Sequence, residues 1–276
     1  MAGWIKIGND IAGEAARDYS GSFVSLSEDG TVVAIGNSYS LNDNSYYVND
    51  NKINHVRIYE YLSGSWSQRG SDIEGEYSGD HFGGPVSLSA DGTIVAIAAP
   101  GNDRMAYGYG DDAGNVQIYQ YSDGSWIQLG SDIEGEYGGD HFGASVSLSS
   151  DGTTVAISST SHNGSRGQTR IFKYSSGSWS QLGAEIEGEV EEDFSGYAVS
   201  LSADGTIVAI GAPFHGNEAN GTEGFMVGQT RIYQYSSGSW SQLGSDIDGE
   251  YGDYSGRSVS LSADGTIVAI GSYRDA

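Results

Sequence analysis

One twelve-residue segment recurs five times and constrains the fold more than any other feature of the chain. The sequence SLSADGTIVAIG occupies residues 200–211 and returns unchanged at residues 260–271. Close variants occupy residues 25–36, 87–98 and 147–158. A repeat of this kind indicates one supersecondary unit copied along the chain, because a single copy cannot bury its own apolar face.

The repeats fill the whole chain. An Asp-Gly pair and a tryptophan each recur about every 60 residues, and all five tryptophans follow this spacing: Trp4, Trp66, Trp126, Trp179 and Trp240. We therefore expect a single domain, residues 1–276. Its predicted units are residues 12–74, 75–134, 135–187, 188–248, and 249–276 together with 1–11.

The second unit shows the pattern most clearly. Residues 86–89 (VSLS) alternate apolar and small polar side chains, which is typical of a half-buried strand. An Asp-Gly hairpin signal leads to residues 93–98 (TIVAIA), a run that predicts a strand buried on both faces. Residues 115–121 (NVQIYQY) and the segment from Trp126 predict a third and a fourth strand, joined by a tight turn. Each unit is therefore expected to be a four-stranded antiparallel meander.

Such units cover one another's apolar faces when they stack. The twist of each sheet turns the stack about an axis, so we predict an all-β fold, a β-propeller of about five four-stranded blades. A linear β-solenoid is the alternative. The last unit ends after its second strand, Thr266–Gly271, which would expose an apolar edge. We expect the N-terminal strand, Trp4–Ile11, to complete and close this incomplete blade. The alternative is that copies of the chain associate with each other through the incomplete blade.

Composition excludes several classes of function. The formal net charge is −25, so a nucleic-acid partner is not expected. No apolar run long enough to span a bilayer is present, and membrane insertion is not expected. The chain has no cysteine, no Gly-x-Ser-x-Gly and no His-x-x-x-His. We therefore predict that it is not an enzyme.

Several segments resemble the bacterial FG-GAP-type repeat, which is similar to the blades of the integrin α-subunit propeller. They are GDHFGASVSLSSDGTTVAIS (139–158), GAP (211–213), GQTRIYQY (228–235) and SGSWSQLG (237–244). The resemblance implies an extracellular or cell-surface propeller for adhesion or recognition. The Asp-rich calcium loop of that family is not matched, since the corresponding hairpin, SADGT, has a single aspartate.

Long variable loops follow the second strand of each unit, and variable loops on a rigid scaffold commonly carry function. We predict that their aromatic side chains bind a glycan or a surface protein. These residues are Tyr46, Tyr47, Tyr107, Tyr109, Phe214 and Phe225. The alternative is a structural subunit or spacer of an extracellular fibre or surface layer, with no small ligand.

Acidic residues concentrate in the fourth strands and in the linkers between units. A further group lies in the loop after the second strand of the second unit. Carboxylate and amide oxygens are the ligands that Ca²⁺ prefers, so we predict a Ca²⁺ site either among the linker acids, which include Asp80 and Asp140, or in this loop at Asn102, Asp103, Asp111 and Asp112. The alternative is that the acidity serves solubility.

Overall fold

The computed structural model describes residues 3–14, 18–37, 54–77, 79–103, 112–216 and 226–273. Its elements are strands and one helical turn, α1 (His162–Ser165). The first sheet contains β1 (Phe23–Leu26), β2 (Val32–Gly36), β3 (His55–Leu62), β4 (Ser65–Gln68) and β5 (Ile73–Glu74). The second contains β6 (Val86–Leu88), β7 (Ile94–Ala99), β8 (Asn115–Ser122), β9 (Ser125–Gln128) and β10 (Ile133–Glu134).

The remaining sheets repeat this plan. The third sheet contains β11 (Val146–Leu148), β12 (Thr154–Ser159), β13 (Gln168–Ser175), β14 (Ser178–Gln181) and β15 (Ile186–Glu187). The fourth contains β16 (Ala198–Leu201), β17 (Ile207–Ala212), β18 (Gln229–Ser236), β19 (Ser239–Gln242) and β20 (Ile247–Asp248). The fifth contains β21 (Ser258–Leu261) and β22 (Val268–Gly271). Each sheet lies inside one predicted unit.

The first four sheets are antiparallel meanders in chain order, and this part of the sequence prediction is confirmed. The predicted fourth strand is split in two. In the first sheet, β4 pairs one end of β3 (Tyr59↔Gln68), and β5 pairs its other end (Val56↔Ile73). Both pieces therefore serve as one interrupted outer strand.

Successive sheets stack through their first strands. β1, β6, β11, β16 and β21 pack against one another in chain order, which is the arrangement expected of propeller blades around an axis. The all-β fold with several four-stranded antiparallel sheets is thus confirmed, and it is consistent with a β-propeller.

Each pair of neighbouring sheets encloses a hydrophobic layer, because the second strand is apolar on both faces. Between the first two sheets, Val32 and Ile58 meet Leu88 and Ile97. Ile94 and Ala96, on the other face of the same strand, belong to the next hydrophobic layer, where they pack with Val155 and Ile157 of the third sheet. The run TIVAIA therefore supplies packing to the sheets before and after it.

Two repeated polar contacts fix one sheet against the next. The backbone N–H of Glu28 donates to the carbonyl of Ala90 (2.9 Å). The equivalent bond recurs at each later junction, and at the last one the N–H of Ala203 donates to the carbonyl of Ala263 (2.8 Å). The Oγ of Ser25 accepts the N–H of Leu88 (2.9 Å). The serines that alternate with apolar residues in the first strands therefore bind the following sheet.

The tryptophans make a third repeated contact. The Trp126 indole N–H donates to the carbonyl of Arg69 (2.7 Å), and Trp179 and Trp240 bond the preceding sheet in the same way. Gly70 lies against the Trp126 ring at φ +79°, so close that a Cβ atom would clash. The regular spacing of tryptophan is explained by this contact between units.

The Asp-Gly hairpins are closed by the aspartate side chain. Asp91 accepts hydrogen bonds from Ser89 Oγ (2.7 Å) and from Thr93 N–H (2.9 Å). Burial raises the pKa of Asp91, but these bonds outweigh it and leave the pKa below its usual value. In the last unit, hydrogen bonds from Ser262 and Thr266 lower the pKa of Asp264 to about 2.

These lowered pKa values predict acid sensitivity. A carboxylate with a depressed pKa stabilises the fold above its unfolded pKa, and this stabilisation is lost as pH falls through the folded pKa. We expect the urea midpoints of the wild type and of Asp91→Asn to differ near neutral pH and to converge as pH falls from about 4 towards about 2. Asp123→Asn, in an exposed turn, is the matched control and should follow the wild type throughout. Parallel curves for Asp91→Asn and the wild type down to the acid limit would contradict this assignment.

The N-terminal segment does not close the last sheet as predicted. Residues 3–14 form no strand, and within the described residues β22 pairs with β21 and not with Trp4–Ile11. Trp4 is fully exposed. Asn9 instead reaches the first sheet, where its Oδ1 accepts the N–H of Trp66 (2.9 Å).

Among the described residues, no helix has the length and apolar character needed to cross a membrane.

Candidate functional site

The linker before each first strand and the loop after each second strand meet at one end of the sheet. This follows from antiparallel pairing, since the start of the first strand lies opposite the end of the second, as Ala198 lies opposite Gly211. Side chains that are far apart in sequence are therefore brought together at this end. We call it the loop end of each sheet.

Three consecutive units place a buried aspartate at the loop end and give it a partner. Asn102 Nδ2 donates to Asp80 Oδ2 (2.9 Å) in the second unit. The equivalent partners in the third and fourth units are histidines: Nδ1 of His162 lies 2.9 Å from Asp140 Oδ2, and Nδ1 of His215 lies 3.0 Å from Asp193 Oδ2. Two of the three pairs are thus aspartate–histidine pairs.

The pair in the fourth unit has the most developed surroundings. Asp193 is buried, and its Oδ2 also accepts the N–H of Val190 (3.0 Å). The hydrogen bond to Asp193 raises the pKa of His215, burial opposes this, and the charges of Asp193, Glu189 and Asp248 raise it further. Asp193 fixes the ring through Nδ1, and Nε2 is then the nitrogen left to exchange a proton.

His215 lines a cleft of about 270 Å³ with an acidic wall. The other side chains that line it are Glu189, Val190, Val227, Gln229, Asp246 and Asp248, together with Gly216. Glu189 is held by Arg231 (3.3 Å) and by Gln229 Nε2 (3.4 Å). The arrangement combines an oriented imidazole with a cavity large enough for a small molecule.

The six aromatic residues predicted to bind a ligand are only partly described. Tyr46, Tyr47, Tyr107, Tyr109 and Phe225 lie outside the described residues. Phe214, next to His215, packs into an aromatic cluster with Phe194 (5.0 Å between ring centroids), Tyr197 (6.1 Å) and Tyr254 (5.7 Å). Phe214 is not among the residues that line the cleft beside His215, and its contact with a ligand stays a prediction.

The predicted calcium ligands fall into two places. Asp103 Oδ1 accepts the N–H of Asp112 (2.9 Å), and Asp80 lies beside Asn102. Burial raises the pKa of Asp80 in spite of this bond. Asp140 belongs to the pair with His162 in the next unit, and Asp111 lies outside the described residues. A calcium ion at these residues stays a prediction.

A different group in the first unit could hold a metal ion. Ligand atoms of Glu14, His55 and Asp72 all lie within 4.8 Å of one another. An imidazole among carboxylates suits a metal such as Zn²⁺ better than Ca²⁺, which prefers oxygen ligands throughout. Arg57, 3.3 Å from Glu14, already neutralises part of the negative charge.

Sequence reasoning missed both histidine arrangements. His55 stands at the start of β3, where the later units have Asn115, Gln168 and Gln229. In the other case the signal was a constant spacing, because Asp140–His162 and Asp193–His215 are each 22 residues apart. A shared spacing in adjacent repeats indicates a shared contact.

The chain was compared with known proteins. No family model matches it, and no curated protein matches it. Solved structures do match. The periplasmic gluconolactonase PpgL of Pseudomonas aeruginosa superimposes with a TM-score of 0.55 at 16% identity, over 91% of this chain and 64% of that one. This chain therefore spans less than two thirds of that enzyme's length.

A second solved structure is described as a candidate 6-phosphogluconolactonase of Bacteroides uniformis. It superimposes with a TM-score of 0.55 at 11% identity, over 91% of this chain and 77% of that one. At these identities the likeness establishes the fold.

These matches correct the sequence-based identification. The structural neighbours are described as lactonases, so the assignment to FG-GAP-type, integrin-like repeats is wrong. Three predictions depended on that assignment or on missing motifs: the adhesion or recognition module, its alternative as a structural subunit, and the absence of enzyme activity. They are withdrawn with it. The error arose because short Gly- and Asp-rich turns between strands are shared by many propellers.

Proposed function

We propose that this chain is a hydrolase that opens a lactone ring, with His215 as general base. The observation that carries the proposal is the His215–Asp193 pair, which lies at the loop end of a lactonase-like propeller fold and lines an acidic cleft. Water and a small cyclic ester fit a cleft of about 270 Å³. The gluconolactone-related names of the structural neighbours suggest the substrate class.

The chemistry follows from the tautomer that Asp193 selects. Its carboxylate accepts the Nδ1–H of His215, which leaves the lone pair of Nε2 free to take a proton from water. The hydroxide forms a bond to the lactone carbonyl carbon, and the ring C–O bond then breaks. The proton on Nε2 passes to the departing ring oxygen, giving the open hydroxy acid. The charge of Asp193 stabilises the imidazolium between these two steps.

The acidic wall favours an uncharged lactone. Glu189, Asp246 and Asp248 line the cleft, and of these Glu189 is paired with an arginine. A phosphorylated lactone would bring a further double negative charge close to these carboxylates, which is unfavourable. We therefore propose a neutral sugar lactone as the substrate rather than its 6-phosphate.

The pH profile tests this proposal. Because the neutral imidazole is the active form, activity should rise as pH increases through the raised pKa of His215. Asp193→Asn removes the group that raises this pKa, so the rising limb should move to lower pH while the maximum rate falls. Asp140→Asn changes the equivalent pair of the preceding unit and serves as the matched control. An unchanged profile in Asp193→Asn, or the same shift in the control, would contradict the assignment.

Three sequence predictions remain as proposals. We propose that the five sheets are five blades of one domain, residues 1–276. We propose an extracellular or cell-surface location, with which a periplasmic structural neighbour is compatible. We also keep the Ca²⁺ site as a prediction, and titration calorimetry of the wild type and of Asp103→Asn with CaCl₂ tests it.

No nucleic-acid partner is expected, because the net charge of the chain is strongly negative.

A further inference from the structure

The two ends of the stack of sheets expose surfaces whose counterparts are covered at the internal junctions. At one end, Leu26 on β1 is 58% exposed, whereas its counterpart Leu88 is 8% exposed. At the other end, Ile267 is 69% exposed, whereas its counterpart Ile94 is 7% exposed. We call the first surface the leading face (Val24, Leu26, Gly30) and the second the trailing face (Ser260, Ala263, Ile267).

The internal junctions show what each exposed face fits. At each of them, a glycine of the later sheet lies on the first side chain after the Asp-Gly-Thr turn of the preceding sheet: Gly92 on Val32, Gly152 on Ile94, Gly205 on Thr154 and Gly265 on Ile207. Among the described residues, a Cβ added at Gly30 of the leading face would touch only Leu26 of its own sheet. Ile267 of the trailing face is the surface that such a glycine covers.

The polar contacts are complementary as well. At the internal junctions a first-strand serine accepts the N–H of the next sheet's leucine, as Ser200 Oγ does from Leu261 (3.0 Å). Across the described residues, this series of bonds begins with Ser25 as acceptor and ends with Leu261 as donor. By the same rule, the N–H of Leu26 is the donor that would fit Ser260 Oγ. In the corresponding backbone series, the carbonyl of Glu28 is the acceptor that would fit the N–H of Ala263.

The N-terminal segment adds a third matching contact. Gly8 lies against the Trp66 ring as Gly70 lies against Trp126, so residues 4–8 stand where the fourth strand of a preceding sheet would stand. In that position Trp4 corresponds to Trp126, whose indole N–H donates to the carbonyl of Arg69, the residue before Gly70 of the preceding sheet. Gly244, at φ +82°, has open space above it, and the adjacent Leu243 is exposed. Trp4 fits this place.

We propose that a second copy of this chain docks head to tail, with its leading face and Trp4 on the trailing face and Leu243–Gly244 of the first. The interface continues the junction already formed between sheets within one chain. Closure within one molecule is not the arrangement seen, because Trp4 and Ile267 are both exposed in the same chain. The contact is heterologous, so it leaves one free leading face and one free trailing face and can extend beyond a dimer.

Sedimentation velocity on two end variants tests this proposal. We expect the wild-type mass to rise with concentration beyond that of a dimer. Leu26→Glu blocks the leading face and Ile267→Glu the trailing face, so each variant alone should be monomeric. Their mixture has one intact face of each kind and should form a heterodimer that grows no further.

A third variant shows whether association depends on the two end faces or on any added charge. Ile127→Glu introduces the same charge at an exposed position of β9, away from both ends, and should associate like the wild type. Circular dichroism should show that all three variants are folded, since the replaced side chains are exposed. A wild type that stays monomeric, association in either end variant, or a mixture that stays monomeric would each overturn the proposal. The test is independent of the proposed hydrolysis.

Discussion

Replacement of His215 by glutamine is expected to lower kcat for hydrolysis of a neutral sugar lactone by about 100-fold or more, the usual contribution of a general base. Glutamine keeps a polar side chain of similar reach but cannot accept a proton from water. The rate is measured as acid released in excess of the spontaneous reaction in buffer. KM should change little, because the imidazole acts on water and not as the principal binding group.

The matched control is His162→Gln, the same substitution in the equivalent pair of the preceding unit. It should leave kcat unchanged if the cleft beside His215 is the active site. Loss of activity in His162→Gln with retention in His215→Gln would move the site to the third unit. Equal activity of the wild type and His215→Gln would refute the proposed role of this residue.

The largest expected effect on stability is found by making the same isoleucine-to-alanine substitution at equivalent positions of two repeats, one buried and one exposed. Ile94 and Ile267 both stand in the segment SLSADGTIVAI, but the first is buried between sheets and the second is exposed. Ile94→Ala should lower the free energy of unfolding by about 2–5 kcal/mol, because it removes buried methyl groups and leaves a cavity. Ile267→Ala should cost less than about 1 kcal/mol.

Urea unfolding at low protein concentration, where chains are separate, measures both variants. The difference between them then reports tertiary burial, because the local sequence is the same. Similar losses in the two variants would mean that the hairpin itself, and not the contact between sheets, provides the stability. A large loss in Ile267→Ala that appears at high protein concentration would instead report the head-to-tail contact proposed above.

Much of the fold was predictable because its signals are local. Alternation in VSLS, the Asp-Gly turn and the apolar run TIVAIA each depend on neighbours within a few residues, and together they predicted two antiparallel strands correctly. The tryptophan spacing also indicated a contact between units. The interruption of the fourth strand between Gln68 and Ile73 was not predicted. It coincides with Gly70, which leaves the extended conformation at φ +79° and lies against the Trp126 ring of the next sheet, a contact that no local pattern encodes.

The candidate site was less predictable because its members come together only at the loop end of the sheet. Asp193 and His215 are separated by a complete hairpin, and neither stands in a catalytic motif. The raised pKa of His215 depends on Asp193, Glu189 and Asp248, which belong to different segments. The same is true of Glu14, His55 and Asp72, which are drawn together from a linker, the start of β3 and the segment between β4 and β5.

The identical segments 200–211 and 260–271 separate the two kinds of information. By itself the sequence determined the hairpin, since Asp204 and Asp264 accept the same hydrogen bonds from a serine and a threonine. It could not determine burial: Val208 is fully buried, whereas its counterpart Val268 is not. Hydrogen bonds within a turn depend on adjacent residues, but removal of a side chain from water depends on which sheet lies against it, and only the tertiary structure decided that.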